Sequence, residues 1–365
     1  MNIVIDARIR LSSTGRYVEG LLIHLQKIDS INSYSVLISP DDNWQPVTGN
    51  FVAVPCPIAQ FSLNPLEQFR FGRQLRALKP DLVHFTMPQQ PLFYFGKTLT
   101  TVHDLTILRF PRPKTGEGLV YWLKDLTYEV VLRYWLLKTQ SILVPSHYVN
   151  EDLAMFQPSI MKKITVTHEA SEEPTKDKTL KPKFATKPFI FHAGSPLPHK
   201  NISRLIEAFE KLVQEKPDLQ LILAGKKEYY FKLLQKVIYA SPARNRIITP
   251  GFVTDAELKW LYENCSAYVF PSLSEGFGLP GLEAMVHGAP VVSSNATCLP
   301  EVYGDAALYF DPKNVDDMAN KISSVLTDKK LRDELITKGH KQAAKYSWQK
   351  MAQQTLDVYN EVLKT

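Results

Sequence analysis

The sequence predicts an α/β protein of two successive domains, each a doubly wound parallel sheet covered by helices. The chain has 365 residues, which is long for one hydrophobic core, so two domains of similar size are expected. Short apolar runs alternate with amphipathic stretches in both halves, as in sheets whose parallel strands are joined by helices. A segment rich in lysine and proline, residues 171–187, is poor in apolar side chains and forms the predicted linker.

The first half, residues 1–170, is the predicted N-terminal domain. Its apolar runs predict strands at residues 2–7, 34–39, 51–55, 81–85, 99–103 and 141–145. Its longer amphipathic stretches predict helices, among them residues 64–78 and 118–138. Gly15 lies in a small-residue loop after the first strand, so it is either an ordinary turn glycine or a point where a phosphate approaches the backbone.

Two features of the first half suggest contacts with ligands or membranes. His103 ends a predicted strand at the carboxyl edge of the sheet, where open α/β sheets bind ligands; a purely structural histidine is the alternative. The stretch 118–138 combines Tyr and Trp with Lys and Arg, the composition of a helix at a membrane interface. Packing of these aromatic rings on the sheet is the competing interpretation, and both can hold for different side chains.

The second half, residues 188–346, repeats the alternation, with strands predicted at 189–193, 219–224, 246–252, 268–270, 290–294 and 307–310. The stretch 347–365 predicts a helix that packs back on the first domain. Lys200 follows two prolines after the first of these strands, and Asn201 is expected to cap a helix from about Ile202. An ammonium at such a helix start would stabilise a departing diphosphate, whereas a solvated loop lysine would have no such role.

The segment AYVFPSLSEGFGLPGLEAMVHG, residues 267–288, organises the second half. It predicts a buried strand, a glycine-rich loop, and a helix whose first turn holds Pro280. A helix start offers N–H groups without an intrahelical acceptor and favours anions. Glu275 and Glu283 flank this start, which predicts a paired binding site; compensation of the helix dipole is the alternative.

The glycines of this loop also match a dinucleotide-binding motif. Gly276, Gly278 and Gly281 satisfy GxGxxG, and Glu301 lies near the acidic position of that motif. A dehydrogenase is therefore a formal rival. The motif should open a nucleotide-binding unit with several strands to come, yet only two clear strands follow it, so this interpretation is disfavoured.

Composition excludes several other classes. No apolar run is long enough to span a membrane, and the first ten residues carry three charged side chains, unlike a signal peptide. Three widely separated cysteines, Cys56, Cys265 and Cys298, argue against a disulfide framework or a zinc site and fit a reducing cytoplasm. A net charge of +6 permits contact with phosphates or with an anionic membrane face. Nucleic acid is not expected among the partners.

Taken together, the motifs resemble those of the retaining nucleotide-sugar glycosyltransferases of family 4, in their mannosyltransferase-like clade. The resemblance rests on SEGFGLPGLEAM, PHKN, HDLTILRFP, VPSHYVNEDL, GFVTDAEL and the final YSWQKMAQQTLDVY. It implies the GT-B fold, with two facing Rossmann-like domains and an interdomain cleft. It further implies transfer of a hexose from a nucleotide sugar to a glycan or lipid-linked acceptor, with retained anomeric configuration and with neither cofactor nor metal.

The resemblance also implies roles for single residues. Catalytic roles would fall to Glu275, His103 and Lys200. Lys200 would neutralise the diphosphate, Glu275 would bind a sugar hydroxyl, Glu283 would hold the ribose, and His103 would contact the sugar. The remaining donor-binding positions would be Gly15, Ser195, Val253 at the base, Gly276, Phe277, Gly278 and Leu279. Ser195 stands where many relatives carry an arginine, which leaves one cation fewer for the diphosphate unless Arg16 or Arg204 compensates.

These expectations lead to a hexosyltransferase of surface polysaccharide synthesis, with GDP-mannose as the first donor to test and UDP-sugars as the second. A cytoplasmic location is expected, and peripheral attachment to the inner face of the plasma membrane is a further expectation. The alternative from another class is a non-catalytic subunit that binds sugar nucleotides or glycans for a partner enzyme.

Overall fold

A computed structural model describes residues 1–12, 14–60, 62, 64–110, 119–171, 179–227 and 229–364, with backbone alone for residues 119–125. The chain divides into two compact units. The first comprises Met1–Glu169 and Ser347–Thr365, and the second Ala170–Tyr346. Residues 172–178 of the predicted linker lie outside the described residues.

The first unit contains a seven-stranded parallel sheet in the order β3-β2-β1-β4-β5-β6-β7. Its strands are β1 Asn2–Asp6, β2 Ser33–Ile38, β3 Phe51–Pro55, β4 Leu82–Phe85, β5 Thr98–Thr101, β6 Ser141–Val144 and β7 Ile164–Val166. The last of these strands is absent from the sequence prediction, because three residues are too few to show a hydrophobic pattern.

Helices cover this sheet and bury its apolar side chains. They are α1 Gly15–Ile28, α2 Pro65–Ala77, α3 Thr106–Arg109, α4 Leu119–Lys138, α5 His147–Phe156 and α13 Trp348–Lys364. The C-terminal helix α13 packs on α1, where the absent side chain of Gly20 makes room for the ring of Trp348. Tyr359 of α13 contacts His84 of the sheet, with 2.6 Å between the hydroxyl and Nδ1.

Helix α4 buries some of its side chains in the core and exposes others, and its role at a membrane stays a prediction. Trp135 and Leu136 are buried in the core, whereas Val130, Tyr134 and Leu137 are exposed. Gly118 lies outside the described residues, and so do the side chains through residue 125, Tyr121 and Trp122 among them. Within the described part of the chain, no helix combines the length and the apolar character needed to cross a membrane.

The second unit contains a six-stranded parallel sheet in the order β10-β9-β8-β11-β12-β13. Its strands are β8 Phe189–Ala193, β9 Gln220–Ala224, β10 Ile247–Gly251, β11 Ala267–Phe270, β12 Val291–Ser294 and β13 Ala307–Phe310. The chain proceeds from β8 to one edge and then returns to place β11 on the other side of β8. The two doubly wound parallel sheets predicted from the alternation are therefore confirmed.

Seven helices described in this unit pack on the two faces of its sheet. They are α6 Ile202–Glu215, α7 Tyr229–Ala240, α8 Asp255–Asn264, α9 Leu279–Val286, α10 Leu299–Tyr303, α11 Val315–Thr327 and α12 Lys329–Ala343. A cluster of buried side chains from α6, α7, α11, β8, β9 and β11 forms a core of this unit.

Candidate functional site

The candidate site of the second unit lies where the strand order reverses, between β8 and β11. These two strands are neighbours in the sheet although β9 and β10 separate them in sequence. In open α/β sheets, ligands bind outside the carboxyl ends of the strands at such a reversal. The two loops that leave β8 and β11 there are residues 194–201 and 271–278, which carry most of the predicted site residues.

The structure brings Lys200 and Glu275 together at this point. The Lys200 ammonium Nζ lies 2.6 Å from Glu275 Oε1, and the two side chains are 17% and 12% exposed. The loops are also joined through the main chain, since the Leu273 N–H donates to His199 O at 2.7 Å. The cation and the carboxylate of the prediction thus form one ion pair, partly shielded from water.

The side chain of Asn201 links the same two loops, whereas the sequence predicted that it would cap helix α6. Asn201 has a left-handed backbone with φ 57° and makes no side-chain cap to α6, so the predicted capping is wrong. Its amide Nδ2 donates instead to Pro271 O at 3.0 Å and to Pro312 O at 2.8 Å. The buried amide satisfies two loop carbonyls, and its Oδ1 accepts from Arg204 at 2.9 Å. Arg204 is therefore engaged at this turn.

The glycines after Glu275 are required by close packing. A Cβ on Gly281 would lie 2.2 Å from the Tyr303 hydroxyl, and one on Gly278, whose φ is +88°, would lie 2.5 Å from it. Tyr303 donates that hydroxyl to Gly278 O. The motif also follows β11, the fourth strand of the unit, whereas a dinucleotide fingerprint follows the first. Both observations disfavour the dehydrogenase interpretation.

The remaining donor positions of the second unit lie around the start of α9 and the end of β10. Glu283, one turn into α9, accepts from the Tyr262 hydroxyl at 3.2 Å, a partner that the sequence did not reveal. Phe277 is buried, and its ring stands edge-on to Tyr346 with 5.4 Å between the centroids. Gly276 is buried just before it, Leu279 begins α9, and Val253 is 9% exposed after β10.

Ser195 lies five residues before Lys200, in the loop after β8. Its carbonyl accepts from the Leu197 N–H at 2.8 Å, and the residue is partly exposed. The neighbouring Gly194 carbonyl approaches Gly225 so closely that a Cβ there would lie 2.1 Å from it. The start of this loop therefore packs tightly against the turn after β9.

His103 belongs to the first unit, and both of its ring nitrogens have partners there. Nδ1 lies 3.1 Å from Glu169 Oε1, and Nε2 lies 3.0 Å from Thr86 O. Burial alone would lower the pKa of His103, but the hydrogen bond and negative charge of Glu169 outweigh it and raise the pKa. A sugar contact by this histidine would have to replace one of these bonds. Glu169, just before the predicted linker, was not singled out from the sequence.

Gly15 begins α1 of the first unit, and its missing side chain is required by the turn itself. A Cβ at this position would lie 1.7 Å from the carbonyl oxygen of Arg10. The Gly15 N–H donates to Ser12 O at 3.0 Å. The turn interpretation of Gly15 is therefore sufficient to explain the glycine, and a role beside a phosphate stays a prediction.

Known proteins resemble this chain both in sequence and in fold. A model of the family "Glycosyl transferases group 1" matches residues 174–342, almost the whole second unit. O-antigen chain mannosyltransferase B of Escherichia coli is 38% identical over 172 residues, which is 47% of this chain and 45% of that protein. The chain therefore aligns with about half the length of that relative. O-antigen chain mannosyltransferase RfbU of Salmonella typhimurium is 27% identical over 69% of this chain and 66% of its own length.

Solved structures match the whole fold. Sucrose-phosphate synthase of Thermosynechococcus elongatus has a TM-score of 0.80 at 16% identity, covering 100% of this chain and 99% of that one. WaaG, a glycosyltransferase involved in lipopolysaccharide biosynthesis, has a TM-score of 0.73 at 14% identity, with 98% and 99% covered. HepE of Anabaena, solved with UDP and glucose, scores 0.73 at 17% identity, with 99% of both chains covered. These likenesses confirm the predicted GT-B fold.

Proposed function

We propose that this chain, whose second unit belongs to the glycosyl transferases group 1 family, transfers a hexose from a nucleotide sugar to a glycan or lipid-linked acceptor with retention of configuration. The observation that carries the proposal is the Lys200–Glu275 pair at the strand reversal of that unit. A cation next to a carboxylate matches a donor that presents a diphosphate beside sugar hydroxyls.

The proposed chemistry follows from the charges at this point. The bond between the anomeric carbon and the phosphate oxygen breaks, and a bond from an acceptor oxygen to the same carbon forms on the same face. Negative charge grows on the departing diphosphate, so the Lys200 ammonium and the N–H groups at the start of α9 stabilise it. The proton of the acceptor hydroxyl passes to the departing phosphate. No metal is assigned a step.

The other roles are proposed on the same basis. Glu275 accepts from a sugar hydroxyl while its charge remains balanced by Lys200, and Glu283, oriented by Tyr262, accepts from the ribose hydroxyls. Val253 contributes to the base pocket, and Ser195 donates its hydroxyl to the diphosphate. In the first unit, His103 and Gly15 keep their predicted roles at the sugar and the phosphate.

For the donor we propose mannose from GDP-mannose, supported by the mannosyltransferase names of several relatives. A UDP-sugar is the competing donor, since HepE was solved with UDP-glucose. A panel of donors with lipid-linked and glycan acceptors, assayed for nucleoside diphosphate release, tests the proposal. Release with GDP-mannose supports it, and release with a UDP-sugar corrects the donor. Tight donor binding in calorimetry without any release would instead favour the non-catalytic subunit.

We further propose that the first unit attaches peripherally to anionic membranes through one face, here called the α2–α4 face. A loop at residues 91–96 lies between α2 and α4 and exposes Phe93 and Phe95, which are 64% and 77% accessible. Three side chains hold its backbone at 3.0 Å: Gln68 of α2 accepts from the Leu92 N–H, Tyr134 of α4 donates to Leu92 O, and Lys138 of α4 donates to Pro91 O.

Two cations lie beside this loop, as attachment to an anionic surface requires. Lys138 Nζ lies 5.8 Å from the centroid of the Phe95 ring, and Arg76 donates to Phe93 O at 3.4 Å. Arg70, Arg73 and Arg76 of α2 are exposed, and so are Leu66 and Phe69. Sedimentation with anionic and with uncharged vesicles at low salt tests the proposal. We expect binding to anionic vesicles alone and its loss in the Phe93→Ser/Phe95→Ser variant. Ile31→Ser, which alters another exposed side chain of the first unit, is the matched control. Binding unaffected by the double change would refute this face.

A further inference from the structure

The backbone of Glu275 is held by two residues on another loop. The Glu275 N–H donates to the Thr297 hydroxyl Oγ1 at 3.1 Å. The Cys298 thiol donates to the Glu275 carbonyl at 3.3 Å. Both residues belong to the turn between β12 and α10. The peptide groups on the two sides of the Glu275 Cα are therefore both fixed by side chains of this turn.

Thr297 has a strained backbone in this arrangement. Its φ is 54°, in the left-handed region that a β-branched residue rarely adopts. Asn or Gly would adopt this backbone with less strain. Strained residues of this kind cluster at functional sites, where surrounding structure holds them in place. The hydroxyl of Thr297 gives a reason for the residue, because neither Gly nor an apolar side chain can accept from Glu275.

Cys298 and the residues after it continue the support. Cys298 is fully buried, and burial raises the pKa of its thiol, so it stays protonated and can donate. Leu299 and Tyr303 of α10 occupy the space left open at Gly278. The turn between β12 and α10, together with α10 itself, thus contacts the loop 271–278 both at Glu275 and at Gly278.

We propose that Thr297 is a positioning residue that sets the Glu275 carboxylate for the nucleotide-sugar donor. Through its hydroxyl it fixes the main chain from which Glu275 reaches Lys200. The inference rests on the proposed function, in which Glu275 binds a hydroxyl of the transferred sugar. A geometric error of a fraction of an ångström at such a group weakens transition-state contacts, even where the protein remains folded.

Three substitutions at this position distinguish the effect of the Thr297 hydroxyl from the effect of its strained backbone. Thr297→Val keeps the branched shape and loses the acceptor, and we expect kcat/KM for the donor to fall about tenfold. Thr297→Ser keeps the hydroxyl and should stay within about twofold of wild type. Thr297→Gly relieves the strain and loses the hydroxyl, so its melting temperature should equal or exceed that of Thr297→Val while its activity is equally low.

A structural role alone would give a different outcome. Asn314→Ala is the matched control, because it also removes a bond from a main-chain N–H to a side-chain oxygen, that from Asp317 to Asn314 at 3.1 Å. It should lower the melting temperature without lowering kcat/KM. In the Glu275→Gln background, Thr297→Val should weaken donor affinity in calorimetry no further, because its effect passes through Glu275.

The results distinguish the inference from the function on which it rests. If wild type releases nucleoside diphosphate and Thr297→Val matches it, the inference is refuted and the function stands. Equal losses of kcat/KM in Thr297→Val and Thr297→Ser also refute the inference. So does a further loss of donor affinity when Thr297→Val is added to Glu275→Gln. If wild type neither binds nor turns over any donor of the panel, the proposed function and the inference are both wrong.

Discussion

The Lys200 ammonium and the Glu275 carboxylate lie 2.6 Å apart, on loops that leave β8 and β11 at the strand reversal. Each of the two proposed donor-binding groups is thus also the partner of the other. A diphosphate that binds Lys200 shares a cation that already faces a carboxylate. When the phosphate binds Lys200, a sugar hydroxyl must donate to Glu275. The pair is therefore expected to select a donor that carries both a phosphate and a sugar.

The first prediction concerns the stability of this pair. Lys200→Met leaves a largely buried carboxylate without its cation, and Glu275→Gln leaves the cation without its carboxylate. We expect each single change to lower the free energy of unfolding by about 2 kcal/mol. The double variant should be more stable than the sum of the single losses predicts, because no unpaired charge remains. Denaturant titration of the four proteins measures this coupling, and strictly additive losses would contradict it.

The second prediction concerns Tyr262, which donates to Glu283. Tyr262→Phe keeps the ring in its aromatic surroundings and removes the hydroxyl. We expect the donor KM to rise about three- to tenfold with little change in kcat, as for the loss of one hydrogen bond that orients a binding group. Tyr309→Phe, which removes a hydroxyl bonded to Gly304 O, is the control. Equal KM values for wild type and Tyr262→Phe would show that Glu283 needs no such orientation.

The third prediction concerns the packing of Tyr303 on the glycine loop. Gly281→Ala should lower the free energy of unfolding by about 1–3 kcal/mol, because its Cβ would overlap the Tyr303 ring and the core cannot expand freely. Gly49→Ala is the matched control, since a Cβ there meets nothing within 4 Å. Its effect should stay within about 0.5 kcal/mol. Similar stabilities of both variants in denaturant titrations would refute the packing role.

The fourth prediction concerns pH and the His103–Glu169 pair. The pKa of His103 is raised, so the folded protein holds the proton more tightly than the unfolded chain does. The stabilisation is fully present below the pKa of an unfolded histidine, about 6.5, and is lost as pH rises through the raised folded pKa.

Glu169→Gln tests this directly. It should lower the melting temperature more at pH 6 than at pH 9, and NMR titration should show a lower pKa for His103 than in wild type. In the variant, burial still opposes the charged imidazole while the carboxylate is gone. A difference in melting temperature that does not change with pH would show that His103 is not charged in the folded protein.

Much of the fold could be predicted because its signals are local. Buried strands such as β11 are short apolar runs, and their alternation with helices dictates parallel sheets. Strand β7 has only three residues, too few for a pattern to show. The capping by Asn201 was wrong for another reason: its amide binds carbonyls of residues 271 and 312, which are distant in sequence.

For the candidate site, the residue types were predictable and their partners were not. Glu275 and Lys200 stand out through the loops and helix starts beside them. Glu169, Tyr262 and Thr297 do not, because each acts on a residue many positions away and none lies in a motif of its own. The GxGxxG pattern marked Gly276, Gly278 and Gly281 in the sequence, but the contact of Gly278 and Gly281 with Tyr303 depends on tertiary packing.

The most direct test of the central claim measures donor turnover and folding stability side by side for wild type, Lys200→Ala and Lys313→Ala, a lysine of the turn before α11. Nucleoside diphosphate release should fall at least about 100-fold in Lys200→Ala, as for loss of one group that stabilises developing charge, while the protein remains folded at the assay temperature. Lys313→Ala should match wild type in both measurements. If Lys200→Ala retains wild-type turnover, or loses activity only in proportion to the folded fraction, Lys200 does not stabilise the departing diphosphate and the account is wrong.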